Sequence, residues 1–332
     1  MEVALRLYFV GEGICAMKLT VMMLAYNHER FIARAIQSVL DQRVDFDYEI
    51  VISDDCSSDR TREIVMDFHR RYPDRIVPVV NDKNRGMMRN FIGTLAHCQR
   101  QYVAFLEGDD FWIRQDKLQC QVDFLDAHPE FAICCGRSRI LDETGGESGE
   151  IYPTCDAGTY TIADILRENV VCTCTSVCRW GLLRSLPEWF ERVKLGDWPL
   201  HVLLAQLGEI QLMDDVFAVY RKHANGAWSS RSQISRLEET IRMFKFLNEE
   251  LKFRYKAQIN RTISRCYLEW GTFAAQSGSR TEAAKCLINC LKSGGYSALP
   301  QARPSLKGLL WFTLFGSWLP AIVKLKRSIL GL

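Results

Sequence analysis

Between Lys18 and Phe111 short apolar runs alternate with stretches of helical periodicity, and this alternation limits the fold more than any other feature of the chain. Leu19–Ala25 reads as a strand. Residues 29–40 read as a helix with Phe31, Ala35, Ile36, Val39 and Leu40 at helical spacing. A short strand over 49–53 follows, then a helix over 59–72 introduced by Ser57, Ser58 and Asp59, all good N-cap types. Ile76–Val80, residues 86–98 and residues 102–106 continue as strand, helix and strand. Strands separated by helices argue for an α/β fold with a mostly parallel sheet covered on both faces. In such sheets ligands bind beyond the carboxyl ends of the strands. Residues 26–28, 54–59 and 107–110 all fall at that edge.

The last of these segments reads Glu107-Gly108-Asp109-Asp110. Three carboxylates within four positions repel one another and are expensive to desolvate. A divalent cation relieves both costs, because Mg2+ and Mn2+ prefer oxygen ligands and are often shared with substrate phosphates. An acidic turn exposed to water is the competing reading. Asp54-Asp55-Cys56-Ser57-Ser58-Asp59 also follows a buried strand. Short polar side chains there form Asx-type turns, or a carboxylate accepts hydrogen bonds from a nucleobase on which Tyr26 could stack.

Farther along, 115–128 reads as helix, 131–139 as strand and 142–149 as an exposed turn. Residues 160–168 and 189–207 are helical candidates, and 210–220 is extended. From about Ser232 long helical segments take over. Residues 267–293 resemble one degenerate tetratricopeptide unit turning at Gly278-Ser279, and one unit cannot bury its own face. Residues 308–323 carry no charge but as a helix would span about 24 Å, short of the ~30 Å hydrocarbon core. Trp311, Phe312, Phe315 and Trp318 beside Lys324, Lys326 and Arg327 suit a membrane-interface segment over 308–327; burial against the hairpin is the alternative.

The chain has 332 residues, 48% hydrophobic and 25% charged, enough for one large domain or two modest ones. A formal charge of +2 gives no case for a nucleic-acid partner. The thirteen cysteines are scattered and odd in number, which points to a reducing cytoplasm and to small buried hydrophobes. Cys172, Cys174 and Cys178 lack the paired spacing of a zinc site. The expected organisation is an N-terminal appendage over 1–17, a domain over 18–230 with halves 18–115 and 116–230, and a helical region over 231–332.

Four strand-end motifs come in a fixed order: Ala25-Tyr26-Asn27-His28-Glu29, Ser53-Asp54-Asp55 through Asp59-Arg60-Thr61, Asn81-Asp82-Lys83-Asn84-Arg85-Gly86, and Leu106-Glu107-Gly108-Asp109-Asp110. This order resembles the family-2 glycosyltransferases of GT-A fold, over about residues 18–230. The resemblance implies nucleobase contact by Asp55 and a base pocket lined by Tyr26. It makes residues 107–110 the DxD motif, with Asp110 as the leading ligand of Mg2+ or Mn2+, Glu107 in the first acidic position and Asp109 near the ribose or sugar. Arg89 suits a phosphate or sugar contact. A general base is expected at the start of a helix in the second half, where Asp197 stands, although Gly196 replaces the acid usual before it. Asp197 could equally serve as an N-cap before Pro199.

Tyr220-Arg221-Lys222-His223 is similar to segments that end the catalytic domain in non-processive bacterial members. There His223 could approach the metal or diphosphate, and Trp228 could close the donor site. The processive Gln-x-x-Arg-Trp motif is absent from the sequence, which favours single sugar addition. The resemblance thus implies inverting transfer from a nucleotide-diphosphate sugar, a UDP-sugar by default, to a saccharide or lipid-linked acceptor in polysaccharide synthesis. Such an enzyme would be cytoplasmic or peripheral on the membrane's inner face. A nucleotidyltransferase and a degenerate nucleotide-sugar-binding scaffold are the rival readings.

Overall fold

The computed structural model describes residues 17–143, 146–183, 185–224, 226, 230–294, 308–310 and 313. The appendage 1–16, Trp228 and most of 308–327 lie outside the described residues. The first half runs β1 (Leu19–Ala25), α1 (Ile32–Leu40), β2 (Tyr48–Asp54), α2 (Thr61–Arg71), β3 (Ile76–Val80), α3 (Met87–Leu95), β4 (Tyr102–Glu107) and β5 (Phe111–Trp112). The second half adds α4 (Lys117–Ala127), β6 (Phe131–Asp142), β7 (Gly146–Tyr152), β8 (Gly158–Tyr160), α5 (Ile162–Ile165), β9 (Val177–Arg179), α6 (Asp197–Ala205) and β10 (Glu209–Lys222). Three helices follow: α7 (Gln233–Glu250), α8 (Lys256–Gln276) and α9 (Arg280–Lys292).

One mixed sheet takes the order β3-β2-β1-β4-β9-β6-β10-β5, with β7 on β6 and β8 on β10. β1, β2, β3 and β4 pair in parallel, as do β6 and β10, while β9 joins the halves antiparallel to β4 and β6. Alternation sends successive side chains to opposite faces. Leu19, Val21, Met23 and Ala25 pack with α1, α2 and α4 on one face, and Met22 packs with α3 and α6 on the other. Both faces are covered, so the strands read as continuous apolar runs. The register places Ala25 opposite Asp54 and Leu24 opposite Glu107. The three loops singled out in the sequence therefore leave one edge of one sheet.

Three expected elements differ. Residues 160–168 contain only the short α5, because Tyr160 ends β8 and pairs with Ile210. The turn expected over 142–149 is confined to its start, because β7 resumes at Gly146 and folds back on β6. The helix expected over 189–207 is broken into a 3-10 turn (Glu188–Arg192) and α6. Pro199 lacks an N–H and is tolerated only in a first turn, which sets the start of α6 near Asp197.

The expected hairpin is α8 and α9, with Gly278 at φ +82° in the turn. Leu309 is fully buried beside Leu268, Ala274, Ala283 and Leu287, so the start of 308–327 packs on this hairpin. Among the described residues no helix is long and apolar enough to cross a membrane.

Lys117 is fully buried, with Nζ 2.7 Å from Gln121 Oε1 and 4.1 Å from the Trp112 ring centroid. Burial pushes its ammonium down to about 7. The folded value lies below the unfolded one, so between them the unfolded chain holds a proton that the folded chain releases. Stability conferred by this site is therefore expected to rise as pH increases from about 6.5 to about 7.5, where unfolded thiols, near 8.5, are still mostly protonated. Urea unfolding across that window should show the rise in wild type and a flatter profile in Lys117→Met; equal slopes would exclude Lys117 as its source.

Candidate active site

The loops after β1 and β2 clasp each other through reciprocal hydrogen bonds. Asn27 N–H donates to Ser57 Oγ (2.9 Å), His28 N–H to Thr61 Oγ1 (2.7 Å) and Glu29 N–H to Asp59 Oδ2 (3.0 Å). In return Ser58 N–H donates to Asn27 Oδ1 (2.9 Å) and Arg60 N–H to Glu29 Oε2 (3.1 Å). The clasp leaves Tyr26 47% exposed at the strand end. Asp55 is buried, and its carboxylate accepts from Arg85 N–H (2.8 Å), Gly86 N–H (2.9 Å) and Asn81 Nδ2 (3.2 Å). It thus organises the Asn81–Gly86 motif directly.

The acidic cluster is sorted by its surroundings. Burial, then repulsion from Asp109 and Asp197, pushes Glu107 up to about 8. Burial, then Asp109 and Glu107, drives Asp110 well above the carboxylate range. Burial would raise Asp109 too, but the His223 hydrogen bond and the charges of His28 and His223 outweigh it and hold Asp109 below its ordinary value. The negative charge therefore settles on Asp109.

His223 Nε2 lies 2.9 Å and His28 Nε2 3.8 Å from Asp109 Oδ2. Ligand atoms of these three residues lie within 4.8 Å of one another, and an imidazole–imidazole–carboxylate set is chemically fit for a divalent cation. Sequence reasoning put the cation on Asp110 with Glu107 and His223. The geometry brings His223 to Asp109 instead. Asp110 is buried; its Oδ1 accepts the Arg221 N–H at 2.8 Å, and among the described residues its Oδ2 has no hydrogen-bond partner. His28 received no role from the sequence, although its place four residues beyond Leu24, the register partner of Glu107, was a usable signal.

Asp197 opens α6, half-buried, and Thr173 Oγ1 donates to its Oδ2 at 3.1 Å. Thr173 belongs to a 3-10 turn that packs on β4, the strand that ends at Glu107. A side chain at Gly196 has little room, since a Cβ there would come 3.2 Å from Met88 Cε and 3.4 Å from Phe91. Arg89 is not drawn into the cluster: its side chain is 71% exposed and lies 3.5 Å from Glu191.

The family model described as glycosyl transferase family 2 matches residues 20–190. The chain belongs to this family. An uncharacterised protein of Mycobacterium tuberculosis is 34% identical over 212 residues, covering 64% of this chain and 61% of that protein. This chain therefore spans about three-fifths of the length of that relative. The poly(ribitol-phosphate) beta-N-acetylglucosaminyltransferase TarS of Staphylococcus aureus is 26% identical over 257 residues, 73% of this chain and 43% of TarS. A crystal structure of TarS residues 1–349 with UDP-GlcNAc superposes with TM-score 0.63 at 19% identity, covering 90% of this chain and 88% of that one. The mannosyltransferase PcManGT from Pyrobaculum calidifontis, with GDP-Man and Mn2+, gives 0.52 at 17% identity over 91% and 89%. The family-2 chain thus has the GT-A architecture read from its sequence.

Gly108 is where the family motif is most constrained here. A Cβ would come 2.8 Å from Ile32 Cδ1, 2.9 Å from His28 Nδ1 and 3.0 Å from the Leu24 carbonyl oxygen. The backbone oxygen cannot swing aside, so Gly108→Ala is expected to cost about 1–3 kcal/mol. Chemical denaturation measures this; a variant as stable as wild type would show that the loop relaxes freely.

Proposed function

We propose that this chain is an inverting glycosyltransferase using Mg2+ or Mn2+, which moves one sugar from a nucleoside diphosphate sugar to a saccharide or lipid-linked saccharide acceptor. Cell-surface polysaccharide synthesis is the setting we infer. The observation that carries the reading is Asp109 faced by two imidazoles just past the end of β4; a separate carboxylate, Asp197, is held by Thr173, whose 3-10 turn packs on β4. TarS structures with UDP-GlcNAc and UDP, and PcManGT with GDP-Man and Mn2+, support a nucleotide-sugar donor, with UDP-sugars favoured. The aromatic and basic character of 308–327 supports a peripheral contact on the cytoplasmic membrane face, which would suit a lipid-linked acceptor.

Tyr26, exposed at the end of β1, offers a stacking face for the base. Asp55 has about four acceptor sites on its two oxygens, and three are taken by Arg85, Gly86 and Asn81. One is left for a base N–H. Asp109 and His223 would hold the cation, with Glu107 and Asp110 behind them. The cation supplies positive charge for the departing diphosphate. Asp197, oriented by Thr173, takes the proton of the acceptor hydroxyl as its oxygen bonds to the anomeric carbon and the bond to the diphosphate breaks on the opposite side. Arg89, once released from Glu191, and Trp228 would contact the donor.

Incubation with labelled nucleotide sugars, with and without Mn2+, tests the reaction. Cation-dependent release of nucleoside diphosphate is expected; release of pyrophosphate would indicate nucleotidyl transfer, and release of neither a scaffold. Asp197→Asn is expected to slow transfer at least about 100-fold with donor affinity unchanged by calorimetry. Near-normal transfer by that variant would remove Asp197 as the base.

A further inference from the structure

His28 is an imidazole without a hydrogen-bonding purpose of its own. Its Nδ1 is buried and has no partner, and its Nε2 points to Asp109 Oδ2 at 3.8 Å, beyond hydrogen-bond distance. The side chain is only 15% exposed. Polar groups buried this way are costly unless something satisfies them. The residue is nevertheless held firmly. Its N–H donates to Thr61 Oγ1, and its carbonyl accepts from both Phe31 and Ile32 N–H at 2.8 Å as α1 begins. Gly108 makes room for the ring, since a Cβ there would lie 2.9 Å from Nδ1.

We propose that His28 is a further cation ligand, giving a site of two imidazoles and one carboxylate that selects Mn2+ over Mg2+. The inference rests on the cation-dependent glycosyltransferase reading above. Two ligand atoms about 2.1 Å from one ion sit roughly 3.0 Å apart at a right angle and roughly 4.2 Å apart when opposite. The His223 spacing of 2.9 Å and the His28 spacing of 3.8 Å fit this range to within about 0.1 Å. An ion between them would take the lone pair of His28 Nε2, which faces Asp109 Oδ2 at 3.8 Å, beyond hydrogen-bond distance. Mg2+ demands oxygen ligands and sheds water reluctantly, whereas imidazole nitrogen suits transition metals. A second imidazole therefore adds affinity for Mn2+ and little for Mg2+.

The test is binding of Mn2+ to the full chain in the presence of UDP, followed by the electron paramagnetic resonance signal of free Mn2+, with Mg2+ as competitor. Wild type is expected to prefer Mn2+ by about 10-fold or more. His28→Ala and the space-filling His28→Phe are each expected to lose about 10-fold in Mn2+ affinity with Mg2+ affinity within about 2-fold of wild type. Thermal melts confirm that at least one of the pair is folded. If both bind Mn2+ as wild type does while Asp109→Ala loses it, His28 is not a ligand and the glycosyltransferase reading stands. If Asp109→Ala also binds Mn2+ as wild type does, the cation lies elsewhere and the His28 proposal falls, while the glycosyltransferase reading is judged by nucleoside diphosphate release.

Discussion

The end of β10 and the residue after it are tied to the loop after β4 at two points. Asp109 accepts from His223 at 2.9 Å, and Asp110 accepts from the Arg221 N–H at 2.8 Å, across 114 and 111 residues of chain. β4 belongs to the half that alternates strand and helix, and β10 to the half that follows it. The double tie therefore sets the two halves against each other at the sheet edge. It also divides the labour of neighbouring acids. One oxygen of Asp110 takes the backbone N–H of Arg221, and Asp109 faces two imidazoles. Charge follows the same division, because a carboxyl flanked by imidazoles ionises readily and one enclosed by protein does not.

The other wall of the site is supported from farther away. Asp197 can stand at a helix start because Pro199 forbids that helix from continuing backwards. Trp198 then anchors α6, with Nε1 donating to the Ile165 carbonyl at 2.8 Å and its ring edge-on to Phe244 of α7 at 5.1 Å. Thr262 of α8 donates to the neighbouring Leu166 carbonyl at 2.7 Å. The helical region after Ser232 is thus the buttress behind the α5–α6 segment that presents Asp197. Its own hairpin buries Leu309, which answers how a single helical pair covers its apolar face.

Much of this was legible in the chain itself. β1, β3 and the hairpin turn at Gly278 lie where periodicity and turn chemistry put them, since those signals are local. Errors gathered where a distant partner outvoted local pattern. Residues 160–168 look helical until Tyr160 pairs with Ile210, and 142–149 look like a turn until β7 finds β6. At Gly196 a Cβ would come 3.2 Å from Met88 Cε and 3.4 Å from Phe91 of α3, a closeness that only the tertiary structure shows.

The sequence by itself determined a mostly parallel, doubly covered sheet, the edge at which its loops would meet, and a cluster of acids there. These follow from apolar alternation, helix periodicity and the order of motifs, all properties of the chain read along its length. Which acid meets the imidazoles was decided only by the tertiary structure. Asp109 and Asp110 are neighbours of identical chemistry, yet their carboxylates meet different partners. Their roles come from what lies opposite, an imidazole for one and a backbone N–H for the other, and both are brought there by a strand more than a hundred residues away.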